Sequence, residues 1–401
     1  KMTEHDITAC MQTYVEHREM SGGALMVRKD GELIYQNKWG MANLDTKEEV
    51  SYDSIYRMMS MSKCVTAVAI MQLIESGKMD LDDSLSKYVP EFKNMQVASD
   101  KRYVIDMKNP KKILLQVPLF KMEKVKTVPA DREITIRDLL SHSSGLEQGA
   151  VGLIAMMKMK NEDQILEDRV MRYSRYVLDF QPGSATNYSP LAGFDILGYI
   201  VERVSGLRLE EYIQRNICEP LDMKDTTFFL NDEQKKRLVH VYKRENEKLK
   251  DVTGTKDDMF GMLHQEPLQF EEGSGGLFST IIDYEHFGEM LYNQGTYHGR
   301  QILKPETVSL MHTEAAEKHL ESEPGMVWGL GMKIRQNPEA AKSFATEGTY
   351  GWSGAFGTHF FVSPKDQIEV VFVTNRCDLG GSGSYISTKV EELVFDVWGG
   401  K

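Results

Sequence analysis

Ser60-Met61-Ser62-Lys63 places a hydroxyl and an amine three residues apart at the head of an apolar segment. On a helix, residues at that spacing share a face, so the Lys63 amine reaches the Ser60 hydroxyl. A first-turn position also sets Ser60 in the positive field of a helix N-terminus, which favours a developing alkoxide. A lysine amine desolvated by apolar neighbours is one of the groups that can activate a serine nucleophile. Behind the tetrad, Val65, Val68, Ala69, Ile70, Leu73 and Ile74 leave almost no polar face before Gly77. Such a helix is a buried one. Alone, the tetrad has a bland reading as a capping serine beside a surface lysine. The buried helix shifts the balance toward chemistry.

A second serine competes. Gly351-Trp352-Ser353-Gly354-Ala355 nearly fits the GxSxG nucleophile elbow, whose triad runs serine, acid, histidine along the chain. After Ser353 the only histidine is His359, with no Asp or Glu between them. That order favours Ser60. Cys10, Cys64, Cys218 and Cys377 are far apart and lack CxxC spacing. Neither a zinc cluster nor a redox pair is expected, and reduced thiols in a cytoplasm are the default. No metal or organic cofactor is implied, since no ligand cluster is visible.

The elements that position these residues can be read coarsely. A helix is expected over Glu4 to Arg18, then two strands, Gly23 to Arg28 and Glu32 to Trp39, around the hairpin signal Asp30-Gly31. Helices are expected at Ala192 to Val204, with Ser189 as cap and Pro190 in its first turn, at Ile281 to Tyr292 and at Ser387 to Trp398. Thr358 to Ser363 and Ile368 to Thr374 read as a further hairpin. Strands at both ends with helices between them predict an α/β fold of the α+β type. Its antiparallel sheet is built from both termini and flanked by helices. Residues 1–79 and 271–401 would form the discontinuous sheet domain and 80–270 an inserted, mainly helical domain, with the site in the cleft between them. The lysine-rich tract Lys101 to Lys126 reads as an exposed hairpin or loop of that insertion.

Composition limits the partners. With 60 acidic against 48 basic residues the formal charge is -12, which argues against nucleic acid or an anionic membrane surface. No stretch approaches the ~20 apolar residues of a membrane span. A small molecule is the expected partner. A leader peptide removed before residue 1 stays open.

Several tracts together carry a family resemblance. Leu139-Leu140-Ser141-His142-Ser143-Ser144-Gly145-Leu146 resembles the LLxHxSGL signature of the β-lactamase-related serine hydrolases. So do Pro182-Gly183-Ser184-Ala185-Thr186-Asn187-Tyr188-Ser189, Gly275-Gly276-Leu277-Phe278-Ser279-Thr280, Trp328-Gly329-Leu330-Gly331, and the run from Gly351 to Gly357. Their order and spacing are similar to the penicillin-binding-protein and class C β-lactamase fold from about residue 20 to the C-terminus. The resemblance implies Ser60 as the acylated nucleophile, Lys63 as its partner, and Tyr188, from the YxN motif, as general base and acid. A phenol with a pKa near 10 needs a cation beside it for that work. It also implies an oxyanion hole from the N–H groups of Ser60 and Ala355, the latter at the start of a strand, and a structural role for His142.

Two departures bear on substrate. Trp352-Ser353-Gly354 stands where β-lactamases carry KTG, so Trp352, Ser353 and Gly354 are the expected substrate-binding residues, without the lysine. Pro190 stands where YxN has asparagine. The WxG form resembles the family VIII carboxylesterases, and both changes remove polar recognition of an anionic peptide-like substrate. Hydrolysis of small carboxylic esters is favoured. A β-lactamase, a D-amino-acid peptidase, an acyltransferase or a penicillin-binding sensor that does not turn over would use the same residues.

Overall fold

The computed structural model describes residues 1–99, 115, 121–159, 162–258 and 270–400. Most of the lysine-rich tract, 101–114 and 116–120, lies outside them. Its flanks, Gln96–Ala98 and Thr127–Pro129, pair as antiparallel strands.

The Asp30-Gly31 turn does what its composition dictates. Both residues have positive φ, 51° and 89°, and the turn joins β1 (Gly22–Lys29) to β2 (Glu32–Asn43). A short β3 (Glu48–Glu49) follows. Six more strands return near the C-terminus: β4 (Glu321–Glu323), β5 (Met326–Trp328), β6 (Lys333–Arg335), β7 (Tyr350–Ser353), β8 (His359–Ser363) and β9 (Ile368–Val373). They form one antiparallel sheet in the order β4-β5-β6-β7-β8-β9-β1-β2-β3. The first strands thus pair directly with the last, β1 against β9.

β9 shows why the sheet needs two covering layers. Every residue from Ile368 to Val373 is buried, and apart from Glu369 the strand is an unbroken apolar run rather than an alternating one. Ile368, Val370 and Phe372 pack against α1 (Glu4–Glu16) and α5 (Tyr385–Trp398). Val371 and Val373 join the main core on the other face, with Phe287 of α4 (Ile281–Tyr292). Each such side chain contributes about 1.5–3 kcal/mol by leaving water.

The central element of the main core is α2 (Ser62–Glu75), buried along eleven of its fourteen residues. It packs on α3 (Ala192–Ser205). The segment 80–258 adds further short helices and two small hairpins, and its Leu139, Leu140, Phe194 and Ile200 share one core with α2 and the sheet. No helix among the described residues is long and apolar enough to cross a membrane.

Candidate active site

The turn carrying Ser60 is strained before it becomes a helix. Met59 has φ +49°, a conformation that costs a non-glycine residue of order 1 kcal/mol or more. A single 3-10 turn, Met59–Met61, then leads into α2. Ser60 therefore stands in that turn, two residues ahead of the α-helix proper. Lys63, in the first turn of α2, donates to Ser60 Oγ at 3.0 Å and to the Ser274 carbonyl at 2.7 Å. The lysine is 1% exposed, so its charge is held by these two oxygens and by the Tyr188 ring 5.0 Å away. Tyr188 donates to Ser60 Oγ at 2.5 Å from a residue 128 positions along the chain. Two donors thus converge on one hydroxyl.

Strand β7 closes the site from the sheet side. A Cβ on Gly354 would lie 2.4 Å from the Met58 carbonyl, so only glycine lets the strand end press against the Ser60 turn. Thr358 Oγ1 seals that contact by donating to the same carbonyl. Ala355 is not the start of a strand, as expected from the sequence, because β8 begins at His359. It lies in the turn after Gly354, whose own N–H goes to Thr358 while that of Gly357 goes to Gly354.

Trp352 faces the cleft. Its indole N–H lies 3.4 Å from the Tyr188 hydroxyl, and its ring packs edge-on against Trp328. Trp328 is stacked parallel to Tyr188 and lies 4.3 Å, ring to ring, from His142. Ser353 points to the opposite face of the sheet. Its hydroxyl bonds His359 Nδ1 at 2.6 Å, and His359 Nε2 bonds Glu391 on α5 at 3.1 Å. Ser353 is 2% exposed. This chain straps the end of β7 to the terminal helix rather than presenting a nucleophile, and among the three WxG residues Ser353 is the one turned away from Tyr188.

His142 has the structural place expected of it. Its Nδ1 accepts from the Ser189 N–H at 3.0 Å, and burial holds the ring well below its ordinary value, hence neutral. Cys64 is likewise inert: burial pushes its thiol up to about 12.

The helix behind Tyr188 is capped differently from its sequence signal. α3 begins at Ala192, and Pro190 is exposed. Ser189 Oγ accepts only from Gly193 at 3.2 Å. The main cap is Glu147, whose Oε1 accepts from the N–H groups of Leu191 and Ala192 at 2.9 and 2.7 Å and from Ser189 Oγ at 3.2 Å. Burial pushes this carboxyl up to about 7, against the backbone hydrogen bonds that favour its ionised form. An unfolded glutamate releases its proton near about 4.3. The folded chain therefore binds more protons between the two values, and this group's contribution to stability falls as pH rises through that window. Glu147→Gln keeps a neutral acceptor and is expected to flatten the fall of Tm between pH 5 and 8. An unchanged slope in thermal scans would refute the shift.

The Ser60 turn, the buried lysine, a tyrosine on the loop before α3 and the end of strand β7 beside them define a hydrolase of the β-lactamase fold. The chain belongs to the beta-lactamase family, whose sequence pattern matches residues 7–393. An uncharacterized protein of Mycobacterium tuberculosis is 28% identical over 89% of this chain and 86% of that one. Esterase EstB of Burkholderia gladioli is 24% identical over 94% and 91%. Among solved structures, EstCE1, a hydrolase with promiscuous acyltransferase activity, superposes with a TM-score of 0.78 at 23% identity, covering 98% of both chains.

Proposed function

We propose that this protein hydrolyses small carboxylic esters through an acyl-enzyme on Ser60. The observation that carries the reading is the convergence of Lys63 and Tyr188 on Ser60 Oγ beneath an aromatic wall of Trp352 and Trp328. With one proton removed from the Lys63–Tyr188 pair, the phenolate accepts the Ser60 proton as Oγ attacks the ester carbonyl. The same proton then passes to the departing alcohol, and a water repeats the sequence in reverse to release the acid. The N–H groups of Ser60 and Ala355 are the proposed oxyanion donors, a contribution of several kcal/mol to the transition state. EstB, named as an esterase, supports the ester reading from the side of the relatives.

The aromatic wall sets the selectivity. Losing a charge-assisted hydrogen bond to a carboxylate beside the scissile bond costs about 1.5–3 kcal/mol, or roughly one to two decades in kcat/KM. An indole at that place adds apolar contact for an uncharged ester. p-Nitrophenyl butyrate is therefore expected to be cleaved at least ~10²-fold more efficiently than nitrocefin or penicillin G. Equal kcat/KM values would transfer the assignment to a β-lactamase. A penicillin adduct that persists in intact-mass spectra, without ester turnover, would transfer it to a sensor.

A further inference from the structure

The carbonyl that holds Lys63 is itself held from behind. Ser274 accepts from Lys63 Nζ through its C=O at 2.7 Å, and its N–H donates to Asp195 Oδ1 at 3.2 Å. Asp195 stands in the first turn of α3 and is fully buried. A carboxylate there must be hydrogen-bonded to be tolerated. Its other oxygen, Oδ2, accepts from the Tyr173 hydroxyl at 2.8 Å and lies 3.8 Å from the Arg169 guanidinium, both on the helix Leu166–Tyr173. One oxygen thus serves a neighbouring helix and the other the residue that fixes the lysine.

The backbone around Ser274 is fastened on both sides. A Cβ on Gly273 would lie 2.7 Å from the Phe194 carbonyl, so glycine lets this turn press against α3. Thr66 Oγ1 donates to the Gly273 carbonyl at 2.9 Å, and Ser62 Oγ accepts from the Leu277 N–H at 3.0 Å. Residues 273–277 are therefore tied to α2 at both ends, and Asp195 ties the residue next to Gly273 to α3. A buried ion pair adds little net stability, so packing alone is a weak account of an acid in this core. The N and O atoms of one residue are three bonds apart, which puts the Asp195 carboxylate and the Lys63 ammonium at most about 10 Å from each other. At that range two buried charges still feel one another.

We propose that Asp195 is a positioning residue for the Ser60 nucleophile: through Ser274 it fixes Lys63 so that another N–H of the ammonium reaches Ser60 Oγ, and its negative charge favours that ammonium. This rests on Ser60 as the nucleophile, as in the reading above, and not on the substrate. The titratable and charged groups facing Asp195 are Tyr173 and Arg169 from the helix Leu166–Tyr173, Glu272 at the start of the turn, Glu147 at the cap of α3 and Lys63 on α2. Arg169 also meets Glu272 at 2.8 Å and Asp163 at 3.2 Å. Its charge is shared among three acidic side chains and compensates Asp195 only in part.

Asp195→Asn removes the charge while keeping an acceptor for the Ser274 N–H. In this variant, shown to be folded by circular dichroism, the plateau rate of Ser60 labelling by a fluorophosphonate should fall at least about tenfold, since a misplacement of 1 Å costs roughly 10²-fold. The kcat for p-nitrophenyl butyrate should fall in parallel while KM stays within about threefold. The ascending limb of the labelling rate against pH should move down by about half a pH unit or more, because loss of a nearby negative charge eases release of a proton from the Lys63–Tyr188 pair. The same shift is expected in a Glu147→Gln background, where that neighbour no longer titrates. A plateau rate within about twofold of wild type, or a limb that stays in place in either background, overturns the proposal. If Asp195→Asn does not fold, Tyr173→Phe decides. It frees Asp195 Oδ2 without changing the charge, and should slow labelling at least about threefold with the limb in place; an unchanged rate overturns the proposal. Labelling of Ser60 in wild type without cleavage of p-nitrophenyl butyrate refutes the ester reading alone, and the labelling rates still decide Asp195.

Discussion

Ser60→Ala is expected to lower kcat/KM for every substrate by at least ~10⁴-fold while leaving the fold intact. Losing a nucleophile that acts as one unit with its base removes nearly all of the chemical step. Stability should change little, because the variant strands no buried charge. Lys63 keeps the Ser274 carbonyl at 2.7 Å, and Tyr188 keeps the Trp352 indole. The thermal midpoint should then stay close to wild type, as for a substitution outside the core. The other serines near the site are poor substitutes. Ser62 is fully buried and its hydroxyl accepts from the Leu277 N–H at 3.0 Å. Ser353 is tied to His359 on the far face of the sheet. Peptide mapping after fluorophosphonate treatment should place the adduct on Ser60. Retained activity in the variant, or an adduct on Ser62 or Ser353, would sink the assignment.

What could be read from the sequence follows how local each feature is. Ser60 and Lys63 are one helical turn apart, so spacing alone brings them together. The apolar run of α2 behind Lys63 and the Asp30-Gly31 hairpin were legible for the same reason. Tyr188 was not, since nothing in the spacing of residues 60 and 188 links them, and the PGSATNYS tract found it only through family resemblance. Ser353 could have been placed by the period of two: if Trp352 faces the cleft, its neighbour in the strand faces away. Its partner Glu391, on a helix near the C-terminus, has no such signal. Glu147 was missed because its capping bonds reach 44 and 45 residues along the chain, whereas the local Ser189-Pro190 signal was the stronger pattern.

The double variant of Lys63 and Tyr188 tests the geometry most directly. Lys63→Ala and Tyr188→Phe should each lower kcat by at least ~10²-fold, the usual scale for lost general acid–base catalysis. If the two acted independently, the double variant would be slower by the product, ~10⁴-fold. Their hydrogen bonds meet on a single oxygen, at 3.0 and 2.5 Å, and the lysine cation lies over the phenol ring. They serve one proton, so the second substitution should remove little that the first had left, and the double variant should be within about tenfold of the slower single. Tyr188→Phe also separates the phenol's chemistry from its packing. The ring stays stacked parallel to Trp328, so KM for p-nitrophenyl butyrate should move much less than kcat. Lys63→Ala instead removes a buried charge together with its partners, and some loss of stability should accompany the loss of rate. Full multiplicativity in kcat, measured on enzyme that circular dichroism shows to be folded, would mean that lysine and tyrosine act in separate steps and that the shared proton is wrong.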